Sequence, residues 1–100
     1  MRLLLVEDED RLAHVLAEGL RHEGFAVDIV NDGIKAYTRI SLHRSDYDLI
    51  ILDLMLPGMT GLEICRQMRA ENITVPILVL TARDEEEQKV NLLLAGADDY

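Results

Sequence analysis

Side chains suited to phosphoryl chemistry follow three separate apolar stretches of this 100-residue sequence. Glu7 and Asp8 follow the first stretch, Asp53 follows the second and Thr81 follows the third. A carboxylate can attack a phosphoryl group as a nucleophile, and carboxylate oxygens are also ligands that Mg²⁺ prefers. A hydroxyl can donate a hydrogen bond to a phosphoryl oxygen. These side chains can act together only if the fold brings the three stretches to one place.

Each of these acids also has a purely structural interpretation. Asp53 precedes a Pro57-Gly58 turn, and an aspartate there can cap the end of a strand or the start of a helix. Glu7 and Asp8 stand before a helical pattern, where the helix dipole favours acids. Taken stretch by stretch, the sequence leaves structural and chemical roles open.

Strands and helices are predicted to alternate along the chain. Short apolar runs predict strands, and apolar residues at helical spacing predict the segments between them as helices. Alternation of this kind indicates an α/β fold with a parallel sheet that helices cover on both faces. The second strand carries Asp28, which favours a place at the sheet edge. The predicted strands are residues 2–6, 25–30, 47–52 and 75–80, and the predicted helices lie between them and over residues 84–96, with Thr60 and Glu63 forming a capping box. Residues 31–33 predict a turn, and Asn72 interrupts the helical pattern that follows Thr60.

A parallel sheet would bring the candidate residues together. All its strands end at the same edge, and ligands collect there at the switch in strand order. We therefore expect Glu7, Asp8, Asp53 and Thr81 to converge on one crevice. Carboxylates that lie close together repel one another, and a bound cation relieves the repulsion. The sequence thus predicts a Mg²⁺ site at this edge.

Composition and charge exclude several other classes of protein. The net charge of −9 argues against binding of nucleic acid by this chain itself, since that affinity comes largely from Lys and Arg. Apolar runs are too short to span a membrane, and Glu7 follows the N-terminus too closely for a signal peptide. We therefore expect a single cytoplasmic domain over residues 1–100. The lone cysteine, Cys65, has no partner for an internal disulfide.

Four motifs in order carry a resemblance to a known family. They are Val6-Glu7-Asp8-Glu9, Leu52-Asp53-Leu54-Met55-Leu56-Pro57-Gly58 with Gly61, Leu80-Thr81-Ala82 and Gly96-Ala97-Asp98-Asp99-Tyr100. Together they resemble the receiver domain of bacterial two-component response regulators, in the winged-helix transcription-factor branch. The resemblance implies a flavodoxin-like doubly wound sheet with strand order 2-1-3-4 in this chain, because the family's fifth strand and fifth helix would lie beyond Tyr100.

The resemblance also assigns roles to individual residues. Asp53 matches the phospho-acceptor, and Asp8 matches the acid that binds Mg²⁺ together with Asp53. The backbone carbonyl of Met55 would be a further metal ligand, and Glu7 would support the metal through water. Beyond these residues, Thr81 and Tyr100 match the switch residues that respond to the phosphoryl group.

Partners and output follow from the same resemblance. A sensor histidine kinase would supply the phosphoryl group, the domain would not be an enzyme, and DNA would be bound only through an effector domain absent from this chain. The family's phosphoryl-binding lysine would fall after Tyr100, so we expect a C-terminally incomplete receiver. Residues 92–94 are three leucines that cannot all face one side of a helix. The resemblance makes residues 84–100 part of the family's usual dimer surface, so an outward-facing leucine there predicts a homodimer or swapped partner through these residues.

Most other functions would require different residues at the positions of these motifs. A haloacid-dehalogenase-like phosphatase also uses an aspartate nucleophile and Mg²⁺, but needs a second aspartate where this chain has Met55. A flavin-binding module would need Gly, Ser and Thr in place of Glu7 and Asp8. A degenerate receiver that binds partners without phosphorylation is the main alternative.

Overall fold

The fold was obtained as a computed structural model, which describes residues 1–80 and Asp98. Within residues 1–80, strands and helices alternate as the sequence predicts. The predicted helix over residues 84–96 lies outside the described residues. The strands are β1 (Arg2–Val6), β2 (Ala26–Val30), β3 (Leu49–Asp53) and β4 (Ile77–Leu80), and the helices are α1 (Asp10–His22), α2 (Gly33–Leu42) and α3 (Gly61–Ala70).

The four strands form one parallel sheet in the order β2-β1-β3-β4. This is the flavodoxin-like order implied by the sequence, and β2 lies at an edge as Asp28 indicates. Val6 pairs with Leu52, and Leu52 pairs with Val79, so neighbouring strands end at nearly the same level. The residues that follow β1 and β3 are therefore brought side by side.

Two hydrophobic cores lie on the two faces of the sheet. Alternate side chains of β1 point to opposite faces: Leu4 and Val6 enter one core, while Leu3 and Leu5 enter the other. Burial on both faces explains why the central strands are almost wholly apolar. The larger core contains Cys65, whose side chain is completely buried. Of the helices described, none is long and apolar enough to cross a membrane.

Two helices end in the same way, with one residue in the left-handed conformation. Gly24, at φ +98°, follows α1, where its N–H donates to Arg21 and the N–H of Phe25 donates to Leu20. Asn72, at φ 60°, ends α3 by equivalent bonds. These are Schellman motifs, which satisfy the last carbonyls of a helix. Phe25 therefore belongs to the Schellman motif that ends α1, and β2 begins one residue later than predicted.

Two other strands, β3 and β4, also begin later than predicted. Tyr47 precedes β3, and its hydroxyl donates to the Asp28 carboxylate at 2.8 Å. Arg69 donates to the carbonyl oxygens of Ile73 and Val75 at 2.6 and 3.1 Å. These bonds hold the chain before β4 against α3, so β4 begins at Ile77 and not at residue 75.

Candidate functional site

Three carboxylates meet at the carboxyl edge of the sheet. One oxygen from each of Glu7, Asp8 and Asp53 lies within 4.8 Å of the other two. Glu7 is only 5% exposed, Asp53 is half-buried and Asp8 is open to solvent. This carboxylate trio contains the acids that the sequence places after β1 and β3.

Strand register positions the trio. Glu7 immediately follows Val6 of β1, and its N–H donates to the carbonyl of Val30 in β2 at 3.0 Å. Asp53 is the last residue of β3 and pairs with Leu80 of β4. Asp53 therefore lies on a central strand and Glu7 and Asp8 lie directly after another, and groups positioned by strands are held more accurately than groups on long loops.

Crowding changes the protonation of Glu7. The pKa of Glu7 is raised to about 7, mainly by burial and further by a hydrogen bond to Asp53 and repulsion from the Asp53 carboxylate. The backbone N–H of Glu9 opposes this change, and the charge of Asp8 adds to it. Glu7 therefore ionises less readily than an ordinary glutamate.

The loop after β3 is held close to Asp53. The N–H of Met55 donates to Asp53 Oδ1 at 3.3 Å, and the N–H of Gly61 donates to the carbonyl of Leu54 at 3.0 Å. A Cβ on Gly61 would lie 2.8 Å from the backbone oxygen of Asp53, so only glycine allows this approach. Thr60 is the N-cap of α3, and its hydroxyl oxygen accepts from the Glu63 N–H at 3.2 Å, the first bond of the predicted capping box.

The start of α2 contacts the far side of this loop. The N–H of Gly33 donates to the carbonyl of Pro57 at 2.9 Å. The Asp32 side chain caps the helix by accepting from the Lys35 N–H at 3.0 Å. The sequence identifies residues 31–33 only as a turn, and the contact with the loop was not predicted.

The trio fits a hard divalent cation. Its donors are all carboxylate oxygens, and Mg²⁺ is usually bound by one or two carboxylates together with waters and phosphate oxygens. Burial is the main reason that the pKa of Glu7 is raised, and the neighbouring charges of Asp53 and Asp8 add to it; a bound cation would offset those charges. Glu7, Asp8 and Asp53 are therefore brought together as expected. Thr81 and Tyr100 lie outside the described residues.

A second polar cluster, which the sequence did not indicate, lies toward the amino edge of the sheet. Asp28 accepts from the Arg2 guanidinium at 3.0 and 3.1 Å and from the Tyr47 hydroxyl at 2.8 Å. Burial raises the pKa of Asp28, but these hydrogen bonds and the charge of Arg39 outweigh it and hold that pKa below its ordinary value. A surface pocket of about 610 Å³ lies beside this cluster.

The chain belongs to the response regulator receiver domain family. The family model described as "Response regulator receiver domain" matches residues 3–100. The sheet order and the position of the acids agree with this membership.

Similar curated proteins are response regulators. The chain is 52% identical over 98 residues to the response regulator ArlR of Staphylococcus epidermidis, covering 98% of the chain and 43% of that protein. It is 50% identical over 98 residues to the sensory transduction protein RegX3 of Mycolicibacterium smegmatis, covering 98% and 42%. Both are regulators of the OmpR/PhoB family, the winged-helix branch expected from the motifs. The chain thus spans less than half the length of these two relatives.

Solved structures show the same fold. The receiver domain of the Francisella response regulator 1452 gives a TM-score of 0.93 at 29% identity, over 99% of this chain and 80% of that one. The BeF3-activated receiver domain of Klebsiella pneumoniae RstA gives 0.90 at 32% identity, over 100% and 83%. TrrA of Thermotoga maritima, solved in complex with Mg²⁺ and BeF, gives 0.85 at 33% identity, over 99% and 83%.

Proposed function

We propose that Asp53 accepts a phosphoryl group from a sensor histidine kinase in a Mg²⁺-dependent reaction. The observation that carries this proposal is the carboxylate trio, in which three acids lie within 4.8 Å at the carboxyl edge of the sheet. Such crowding is unfavourable unless a cation relieves it. Phosphoryl transfer to a carboxylate uses both features, a nucleophilic oxygen and a cation beside it.

The reaction is a transfer between two nucleophiles. An Asp53 carboxylate oxygen forms a bond to phosphorus while the bond from phosphorus to the donor imidazole nitrogen breaks, and that nitrogen keeps the bonding electrons. The products are an acyl phosphate on Asp53 and a histidine free of phosphate. Bound Mg²⁺ would neutralise the equatorial phosphoryl oxygens.

The chain's own residues prepare this step. The Met55 N–H holds Asp53 Oδ1, which orients the carboxylate for in-line attack. Asp8 and Asp53 would supply carboxylate ligands to the cation, the Met55 carbonyl would add a further ligand, and Glu7 would bind through water. Thr81 and Tyr100 would respond to the phosphoryl group, as their matches to the family motifs imply.

One structural relative supports the choice of cation, and a second was solved in an activated form. TrrA was solved in complex with Mg²⁺ and BeF, and the RstA receiver was solved in a BeF3-activated form. Those ligands belong to those proteins, whose folds this chain shares. They make Mg²⁺ the first cation to test here.

The output belongs to the wider response-regulator system. We propose that phosphorylation controls a DNA-binding effector domain, as in a transcription regulator, and that residues 84–100 contribute to self-association. The domain would act as a phospho-acceptor and not as an enzyme. The cytoplasmic location stays a prediction from the sequence.

Incubation with acetyl phosphate and Mg²⁺, followed by intact-mass measurement, tests the proposal. Wild type should gain the mass of one phosphoryl group, and Asp53→Asn should gain nothing. Asp46→Asn is a matched control, because Asp46 is an exposed acid paired with His43 at 3.1 Å, outside the trio. An unlabelled wild type, or equal labelling of Asp53→Asn, would contradict the proposal. Labelling that persists undiminished in excess EDTA would contradict its Mg²⁺ dependence.

A further inference from the structure

Gly33 makes an unusually close approach to the loop that follows Asp53. A Cβ built on Gly33 would lie 2.0 Å from the carbonyl oxygen of Met59 and 2.8 Å from its carbonyl carbon and amide nitrogen. These are backbone atoms, so no rotation of a side chain can make room. Gly33 is outside the left-handed region, since the glycines with positive φ among the described residues are Gly24 and Gly58. The requirement for glycine at position 33 is therefore one of space.

Two further contacts join α2 to the same loop. The Gly33 N–H donates to the Pro57 carbonyl at 2.9 Å. The side chain of Ile34 lies over Gly58, because a Cβ on Gly58 would lie 3.0 Å from Ile34 Cγ1. Ile34 is 56% exposed, so this contact with the loop accounts for an apolar side chain at the surface.

The loop is held at its other end by the site itself. The N–H of Met55 bonds Asp53 Oδ1, and the N–H of Gly61 bonds the Leu54 carbonyl. Met55 therefore lies in a short segment fixed on one side by β3 and α3 and on the other by α2. The start of α2 cannot move freely, since Ala36 and Ile40 are completely buried in the larger core.

We propose that Gly33 is a positioning residue for the metal and phospho-acceptor site. Its lack of a side chain lets α2 press against residues 57–59, and this contact sets where the Met55 backbone lies relative to Asp53. A larger residue would displace the loop toward the site. This inference rests on the proposed function, because Met55 matters to chemistry only if a cation binds beside Asp53.

A comparison of three glycine-to-alanine variants tests the inference. Gly33→Ala should weaken Mg²⁺ binding, measured by isothermal titration calorimetry, by about 10-fold or more, as displacement of groups that orient metal ligands does. Gly24→Ala is the control for lost stability, since Gly24 has φ +98° but open space around it. Gly19→Ala is the control for the mutation itself, because Gly19 lies on α1 with no atom near its Cβ. Urea unfolding of each variant measures the loss of global stability.

The expected result separates positioning from stability. Gly24→Ala should unfold at a lower urea concentration and yet bind Mg²⁺ as wild type does. Unchanged Mg²⁺ affinity in folded Gly33→Ala would overturn the inference, and so would equal weakening in Gly24→Ala. If Gly33→Ala does not fold, Ile34→Ala decides, because it removes only an exposed side chain from Gly58. Weaker Mg²⁺ binding in Ile34→Ala supports the positioning role, and wild-type binding overturns it.

Failure of the proposed function would give a different result. A wild-type chain that neither binds Mg²⁺ nor accepts a phosphoryl group on Asp53 would overturn that proposal and, with it, this inference. A wild type that does both, beside a Gly33→Ala variant with equal Mg²⁺ affinity, would overturn only the role of Gly33.

Discussion

Acids near the two edges of the sheet lie in opposite electrostatic surroundings. Toward the amino edge, the half-buried Asp28 receives hydrogen bonds from Arg2 and Tyr47, and its pKa is held below the ordinary value. At the carboxyl edge, Glu7 faces Asp53, and burial together with that neighbour raises its pKa to about 7.

The difference distinguishes acids that stabilise the fold from acids that serve a site. An acid surrounded by donors stabilises the folded chain in its charged form. Acids gathered without a cation reduce stability, and such clusters with displaced pKa values concentrate at functional sites. The same side-chain chemistry is thus structural at one edge and available for binding at the other.

The contrast predicts its largest effect in the pH dependence of the free energy of unfolding of the Mg²⁺-free protein. Glu7 binds its proton more tightly when folded, because its pKa rises from the ordinary 4.5 to about 7. The free energy of unfolding should therefore fall as pH rises between these values, by up to about 3 kcal/mol at 1.36 kcal/mol per pH unit. Urea unfolding in EDTA across this range measures the slope.

Glu7→Gln should remove most of that slope, since the glutamine cannot ionise. Glu18→Gln, a change at an exposed acid of α1, should leave it in place. A slope that persists unchanged in Glu7→Gln would show that the pH dependence of stability does not come from Glu7.

Removal of one proposed metal ligand gives the next largest effect. Asp8→Asn should weaken Mg²⁺ binding by at least about 10-fold, or 1.4 kcal/mol, because the cation loses a charged ligand. Titration calorimetry measures the change. Glu9→Gln is the matched control, since Glu9 is the adjacent exposed acid outside the trio. Equal weakening in both variants would mean that Mg²⁺ responds to general negative charge and not to a defined site.

Tyr47→Phe tests the amino edge and should have the smallest effect. It removes the hydroxyl that donates to Asp28, which should lower the free energy of unfolding by about 1 kcal/mol at neutral pH. The pKa of Asp28 is lowered in the fold, so its stabilisation is present above the unfolded value of 3.8 and is lost as pH falls through the folded value. The difference in free energy of unfolding between Tyr47→Phe and wild type, measured in urea, should therefore shrink as pH falls.

Mg²⁺ affinity should not change in Tyr47→Phe, because the hydroxyl bonds Asp28 toward the opposite edge of the sheet. A variant that weakened Mg²⁺ binding would show that the two edges are coupled, and the contrast between them would then fail.

The sequence predicted the elements whose signals are local. β1 could be read directly because its apolar run is bounded by the acids at Glu7 and Asp8, and parallel geometry then brought Asp53 beside them. Asn72 interrupted the helical pattern of α3 because it forms the left-handed helix end. The roles of Thr81 and Tyr100 stay predictions.

Contacts between distant parts of the chain could not be predicted. Asp28 was placed at an edge, but its partners Arg2 and Tyr47 lie 26 and 19 positions away in sequence. Gly33 resembled an ordinary turn residue because its closeness to Met59 depends on how α2 packs against the loop. No spacing rule encodes such an approach.

The buried thiol of Cys65 can report how often the larger hydrophobic core opens. Its burial raises the pKa to about 11 and leaves no exposed surface, so a thiol reagent can reach it only when the larger core opens. The rate of its modification therefore reports how often α3 separates from the sheet. Reaction of this one thiol can thus follow the opening of the core to which Leu54 and Leu56, in the loop after Asp53, belong.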